Sequence, residues 1–189
     1  NQIVDETVAP EVVAADPFIE VQKAHPSIAP GTELFQPERP NSKGFDLNDL
    51  PTLDRINAAR APFQTHEWTA APLLAGTVQA LDAVACFNPS EPADTLGNIA
   101  TSSEQDVETA LSVAQPWAAD AATRRSTLEK AADTFEANFG ELFALLSREA
   151  GKTQKDAVAE LREGVDFLRY YAARCDDGPA VGVFTCISP

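Results

Sequence analysis

The sequence predicts an α/β chain that is mostly helical and is preceded by an irregular arm. Three observations carry this reading. Eleven of the fourteen prolines lie in the first 92 residues, so the early part of the chain is poorly suited to long regular elements. Three stretches between Ser103 and Ala172 repeat apolar residues at helical spacing. The chain closes on GVFTCISP, residues 182–189, a short β-branched and aromatic run bounded by Gly182 and Pro189 that reads as a core strand feeding a loop.

The arm comes first. EVVAADPFIEVQKA and DLPTLDRINAARA are short helix-like pieces, and HPSIAPGTELFQPERPNSKG between them is too rich in Pro, Gly and Ser to be regular. The composition changes near residues 75 to 80, which predicts a linker or wrapping arm up to that point, lying on a larger body. AVACFNPSEPADTLGNIAT then has two apolar runs about NPSEPAD, the pattern of a strand pair joined by a loop. Ser103, three residues before Asp106, opens a first helix that carries Val107, Ala110, Leu111, Ala114 and Trp117 and stops near Pro116. A second helical stretch runs from about Arg124 to Glu149, with a break at Gly140 and a C-terminal cap at Gly151. Thr153 and Asp156 start a third, whose apolar side is Ala157, Leu161, Gly164, Val165, Leu168 and Ala172.

Composition narrows the function classes. With 29 acidic against 14 basic residues the net charge is -15, which repels nucleic-acid phosphate and anionic membrane. No apolar run approaches the roughly 18 residues that a spanning helix needs, and the start NQIVDETV lacks a signal-peptide pattern, so a soluble, cytoplasmic chain is expected. It begins with Asn1, which predicts a processed product or part of something longer. Cys86, Cys175 and Cys186 are odd in number and lack CxxC spacing, which predicts structural thiols, with neither a disulfide framework nor a metal site. The only histidines, His25 and His66, lie far away in sequence, so none of the thiols is a good nucleophile candidate. REAGKT contains Gly-Lys-Thr, but the glycine that a phosphate loop needs five residues before Gly151 is replaced by Leu146.

One feature departs from an ordinary amphipathic helix. In AELREGVDFLRYYA, Glu160, Glu163 and Asp166 fall at i, i+3 and i+6 beside Phe167, Tyr170 and Tyr171. The bland reading is a solvated face with Arg162 and Arg169 as partners. The functional reading is a carboxylate at the wall of a pocket that meets a cationic substrate group.

REAGKTQKDAVAELREGVDFLRYYA, followed by GVFTCISP, resembles the aldehyde dehydrogenase domain of the proline utilization A (PutA) family, where Trp-Asn-Phe-Pro follows. HPSIAPGTELFQPERPNSKGFDL resembles that family's interdomain connector, and NQIVD the exit from its proline dehydrogenase barrel. The resemblance implies residues 1–78 as the connector following the barrel. It implies residues 79–189 as the N-terminal part of a Rossmann-like, NAD-binding aldehyde dehydrogenase domain, with three helices, a strand pair and one terminal core strand. It further implies a bifunctional proline catabolic enzyme that uses FAD to oxidise proline to pyrroline-5-carboxylate and NAD to oxidise L-glutamate-γ-semialdehyde to glutamate. Glu163 matches the helix carboxylate near the substrate amino group, and Phe167 matches a pocket-wall aromatic. Ile187, Ser188 and Pro189 match the start of the cofactor loop, where backbone contacts count.

The family's catalytic thiol lies past Pro189 and its FAD barrel before Asn1, so no catalytic or metal-binding residue is expected here and the 189 residues alone are expected to be inactive. Partners are then the semialdehyde, the rest of the parent chain and further copies in a homo-oligomer. RCDDGPAVGVF is shorter than the family's usual segment between helix and strand. Two other readings stand beside this one: a freestanding helical interaction module derived from such a dehydrogenase, and part of a monofunctional aldehyde dehydrogenase, against which the connector motifs speak.

Overall fold

The structure is a computed structural model that describes residues 4–21, 23, 28–179 and 182–187. It divides into two compact units, residues 1–41 and 42–189. The first holds two single-turn helices, α1 (Pro10–Val13) and α2 (Pro17–Glu20), and a 3-10 turn at Gly31–Glu33. Each helix starts on a proline, whose fixed φ suits the first turn, and the Asp16 carboxylate accepts the Phe18 N–H at 2.9 Å. Asn41 closes this unit by donating its backbone N–H to the Thr32 carbonyl and its side-chain amide to Gly31.

The second unit carries α3 (Leu50–Arg60), β1 (Trp68–Ala70), β2 (Val84–Asn88), β3 (Glu91–Ile99), α4 (Glu104–Val113), α5 (Ala121–Ala137), α6 (Phe139–Glu149) and α7 (Gln154–Ala172). With seven helices and a small mixed sheet among the described residues, the chain has the α/β fold expected for part of a Rossmann-like domain. The core lies among the helices. Ile56 of α3, Ala132 of α5, Phe143 of α6 and Val165 of α7 are fully buried, and Phe45 and Leu47 pack on this cluster from the segment before α3. Phe45 meets the rings of Phe139 and Phe143 at 5.2 and 5.3 Å. Burying a side chain of this size stabilises by roughly 1.5–3 kcal/mol. Residues 42–67, on the proline-rich side of the compositional change, therefore share a core with the helices after it.

The helix starts follow local chemistry. Ser103 and Asp106 form the reciprocal capping box, Asp120 accepts the Thr123 N–H at 2.7 Å, and Thr153 accepts the Asp156 N–H at 3.2 Å. Other boundaries differ from expectation. α4 ends at Val113, and Ala114 after it leaves the helical conformation two residues before Pro116, so Trp117 lies beyond the helix and is exposed. The long helical stretch breaks at Asn138 and not at Gly140. Gly140 lies inside α6 where α3 crosses it, and a Cβ there would stand 2.4 Å from the Ala59 carbonyl oxygen.

The sheet order is β1-β3-β2, with β1 parallel and β2 antiparallel to β3. The turn between β2 and β3 is only Pro89–Ser90, so Glu91, Pro92, Ala93 and Asp94 belong to the strand and not to the loop expected over NPSEPAD. Gly97 faces Trp68 across the pair at φ 132°, and a Cβ would overlap the Trp68 carbonyl. Arg148 of α6 ties the sheet to the helices. It pairs with both oxygens of Asp94 at 2.6 and 3.0 Å, donates to the carbonyls of Phe63 and His66, and lies over the Trp68 ring.

The expected terminal core strand is not formed. Residues 182–187 are not paired in the sheet, and Val183, Phe184 and Ile187 are 67%, 84% and 92% exposed. An apolar β-branched run becomes a core strand only when neighbours flank it, and β1, β2 and β3 pair with one another instead.

Candidate functional site

The face of α7 on which the acidic stripe lies is the candidate substrate surface, and each of its side chains is set by the helix period. Leu161, Val165 and Ala172 turn into the core. Arg162, Asp166 and Arg169 recur at i, i+4 and i+7 on one flank, and Glu163, Phe167, Tyr170 and Tyr171 lie beyond them on the solvent side.

The three carboxylates have different surroundings. Glu160 is paired with Lys152 at 2.5 Å. Asp166 accepts both the N–H and the hydroxyl of Ser42, at 2.9 and 2.7 Å. Glu163 is exposed and makes no hydrogen bond or ion pair among the described residues. The arginines expected to partner the stripe also bind groups outside it. Arg162 donates its Nε to Ser42 Oγ at 3.2 Å, and Arg169 holds Asp133 and Glu136 of α5 at 2.9 to 3.1 Å. Burial pushes Glu136 up, but hydrogen bonds from Arg169 and the Lys43 N–H outweigh it and hold the carboxyl below its ordinary range.

Phe167, one turn after Glu163, is 53% exposed and stacks on Tyr171 with ring centroids 6.3 Å apart. Tyr171 meets Tyr170 edge to face at 5.3 Å, and the Arg174 guanidinium covers Tyr170 at 3.5 Å. Tyr171 also lines a cleft of about 780 Å³ beyond the end of α7, together with Trp117, Arg124 and Arg174. On the other side of Glu163, Gly164 and Leu161 border an apolar groove of about 230 Å³ against Phe135, Leu142 and Leu146. The result is a free carboxylate beside an aromatic shelf, an arrangement able to take a cationic head on a short carbon chain.

Of the remaining expected site residues, only Ile187 is described, and it is not on this face. Ile187 lies in the exposed terminal segment, and Ser188 and Pro189 lie outside the described residues. Cys86, Cys175 and Cys186 are free thiols, the first two partly buried and the third exposed. Among the described residues no cluster of His, Cys, Asp and Glu could hold a metal ion, and no helix is long and apolar enough to cross a membrane. Sequence reasoning missed Ser42, whose only local signal is an Asn-Ser-Lys-Gly turn composition.

The aldehyde dehydrogenase family model matches residues 77–183, more than half of the sequence, and the chain belongs to that family. Within it, the whole chain is similar to the bifunctional protein PutA of Escherichia coli K12, at 34% identity. The chain spans 16% of that relative's length. A 1-pyrroline-5-carboxylate dehydrogenase of Staphylococcus aureus is 26% identical over 70% of the chain and 27% of the relative. A solved variant of Bradyrhizobium japonicum proline utilization A superposes on 80% of the chain and 12% of its own, with a TM-score of 0.57 and 29% identity.

Proposed function

We propose that this chain is the connector and substrate-wall segment of a PutA-like proline catabolic enzyme. The parent oxidises proline to pyrroline-5-carboxylate with FAD in a barrel, then L-glutamate-γ-semialdehyde to glutamate with NAD. Residues 1–78 serve as the connector and 79–189 as the beginning of the aldehyde dehydrogenase domain, in a cytoplasmic homo-oligomer. The observation that carries the proposal is Glu163: it alone of the three stripe carboxylates has no partner among the described residues, and it stands one turn from the exposed Phe167 ring. A carboxylate there receives the α-ammonium of the semialdehyde, and Phe167 with Tyr171 shields the carbon chain.

NAD supplies hydride acceptance in such a reaction, but the residues here do not hold it by themselves. The sequence has no glycine-rich phosphate turn, and of Ile187, Ser188 and Pro189 only Ile187 is described, as an exposed apolar residue. The chain's own part is therefore to bind and orient substrate. Acyl transfer needs a positioned thiolate, an oxyanion donor and an ordered cofactor together, so the 189 residues alone are expected to give no semialdehyde-dependent NAD reduction.

The test uses the whole protein. Removing one charge-assisted hydrogen bond costs about 1.5–3 kcal/mol, so Glu163→Gln is expected to lower kcat/KM for glutamate semialdehyde by roughly 10- to 150-fold. Oxidation of the five-carbon semialdehyde acid that lacks the amino group should be nearly unchanged. Equal losses on both substrates would remove the ammonium role.

A further inference from the structure

We propose that Ser42, Arg162 and Asp166 form a positioning clamp that fixes the rotation of α7, and with it the direction of Glu163 and Phe167. This rests on the reading of that face as the substrate wall.

The clamp is built from groups 120 to 124 residues apart in sequence. Ser42 is 2% exposed and gives both of its donors to one carboxylate, the N–H to Asp166 Oδ1 at 2.9 Å and the hydroxyl to Oδ2 at 2.7 Å. Two parallel donors to the two oxygens of a carboxylate fix its plane as well as its place. Ser42 Oγ also accepts the Arg162 Nε at 3.2 Å, so one serine is held between positions i and i+4 of the same helix. The next residue extends the attachment to a second helix. The Lys43 N–H donates to Glu136 Oε1 at 2.8 Å, and Glu136 pairs with Arg169, one turn beyond Asp166.

The helix period turns this attachment into a positional constraint. Asp166 adjoins Phe167 in sequence and follows Glu163 by three residues, so rotating α7 enough to break the clamp would swing both side chains around the axis. The apolar side of α7, Ala157, Val158, Leu161, Val165 and Ala172, buries the helix on the core but is not a directional contact, whereas the clamp's hydrogen bonds are. Buried polar contacts add little net stability where an apolar pair would serve, but they have one satisfied geometry and penalise all others. Ser42, Arg162 and Asp166 are therefore positioning residues that act through Glu163, not groups that touch substrate.

The experiment measures KM for glutamate semialdehyde and for NAD in the whole protein carrying Ser42→Ala, Glu163→Gln or both. Arg162→Met serves as a second probe of the clamp from its more accessible side. Loss of one hydrogen bond of ordinary net strength corresponds to about a fivefold change. Ser42→Ala and Arg162→Met are expected to raise the semialdehyde KM about fivefold, to leave the NAD KM unchanged, and to add nothing once Glu163→Gln is present. An unchanged semialdehyde KM in both clamp variants, beside a raised one in Glu163→Gln, would overturn the clamp and leave the substrate wall standing. A Ser42→Ala effect that persists in full on the Glu163→Gln background would do the same. No effect of Glu163→Gln would remove the substrate wall, and the clamp with it.

Discussion

Arg148 shows how one residue can join separate parts of this chain. It is 6% exposed and binds Asp94 of β3, the Phe63 carbonyl after α3 and the His66 carbonyl before β1, so a helix, a turn and a sheet all depend on a single guanidinium. The Arg148 hydrogen bond, followed by one from Asn88, lowers the Asp94 carboxyl to about 2. The folded pKa lies below the unfolded value near 3.9, so this pair contributes stability above about pH 4 and loses it as pH falls towards 2. Denaturant midpoints measured across that range should fall more steeply for the natural protein than for Asp94→Asn, which has no such proton to take up. None of this network was readable in the sequence, where Arg148 and Asp94 are 54 residues apart and look like surface charges. The stripe of Glu160, Glu163 and Asp166 was legible because it depends only on helix period. Which member stays free was not, because Ser42 and Lys152 decide it from elsewhere in the chain.

At the scale of elements, the three helical stretches expected from Ser103 to Ala172 were legible because caps and apolar periodicity are local signals, although the second divides at Asn138 into α5 and α6. Two features were not. Gly140 looked like a helix breaker, yet it is where α3 lies against α6, a tertiary reason that no local signal carries. The run at 182–187 has strand composition, but a strand also needs partners. Gly140→Ala forces a methyl group against the Ala59 carbonyl and should destabilise by about 1–3 kcal/mol. Ser103→Ala removes a cap at a typical cost of about 1 kcal/mol. Thermal unfolding of both variants, against a control substitution at the exposed Glu104, checks the order of these effects.

For the whole molecule, composition and packing divide the chain at different places. Prolines thin out after residue 92, whereas the compact units meet between Asn41 and Ser42, because Phe45 and Leu47 lie on the helical core and Ser42 holds α7. Deleting residues 1–41 should therefore leave the unfolding transition of the helical unit nearly unchanged. Deleting 1–47 should lower its midpoint clearly, since it exposes the Phe139 and Phe143 rings and leaves Asp166 without Ser42.

The role proposed for the Glu163 carboxylate is to receive the substrate's ammonium group. It is tested most directly by a crystal structure of the whole protein with its product, glutamate, bound. The glutamate nitrogen should then lie at charge-assisted hydrogen-bond distance from Glu163, about 2.7–2.9 Å, with its carbon chain over the Phe167 ring. Glutamate bound with its nitrogen on other groups, and Glu163 facing solvent, would contradict it.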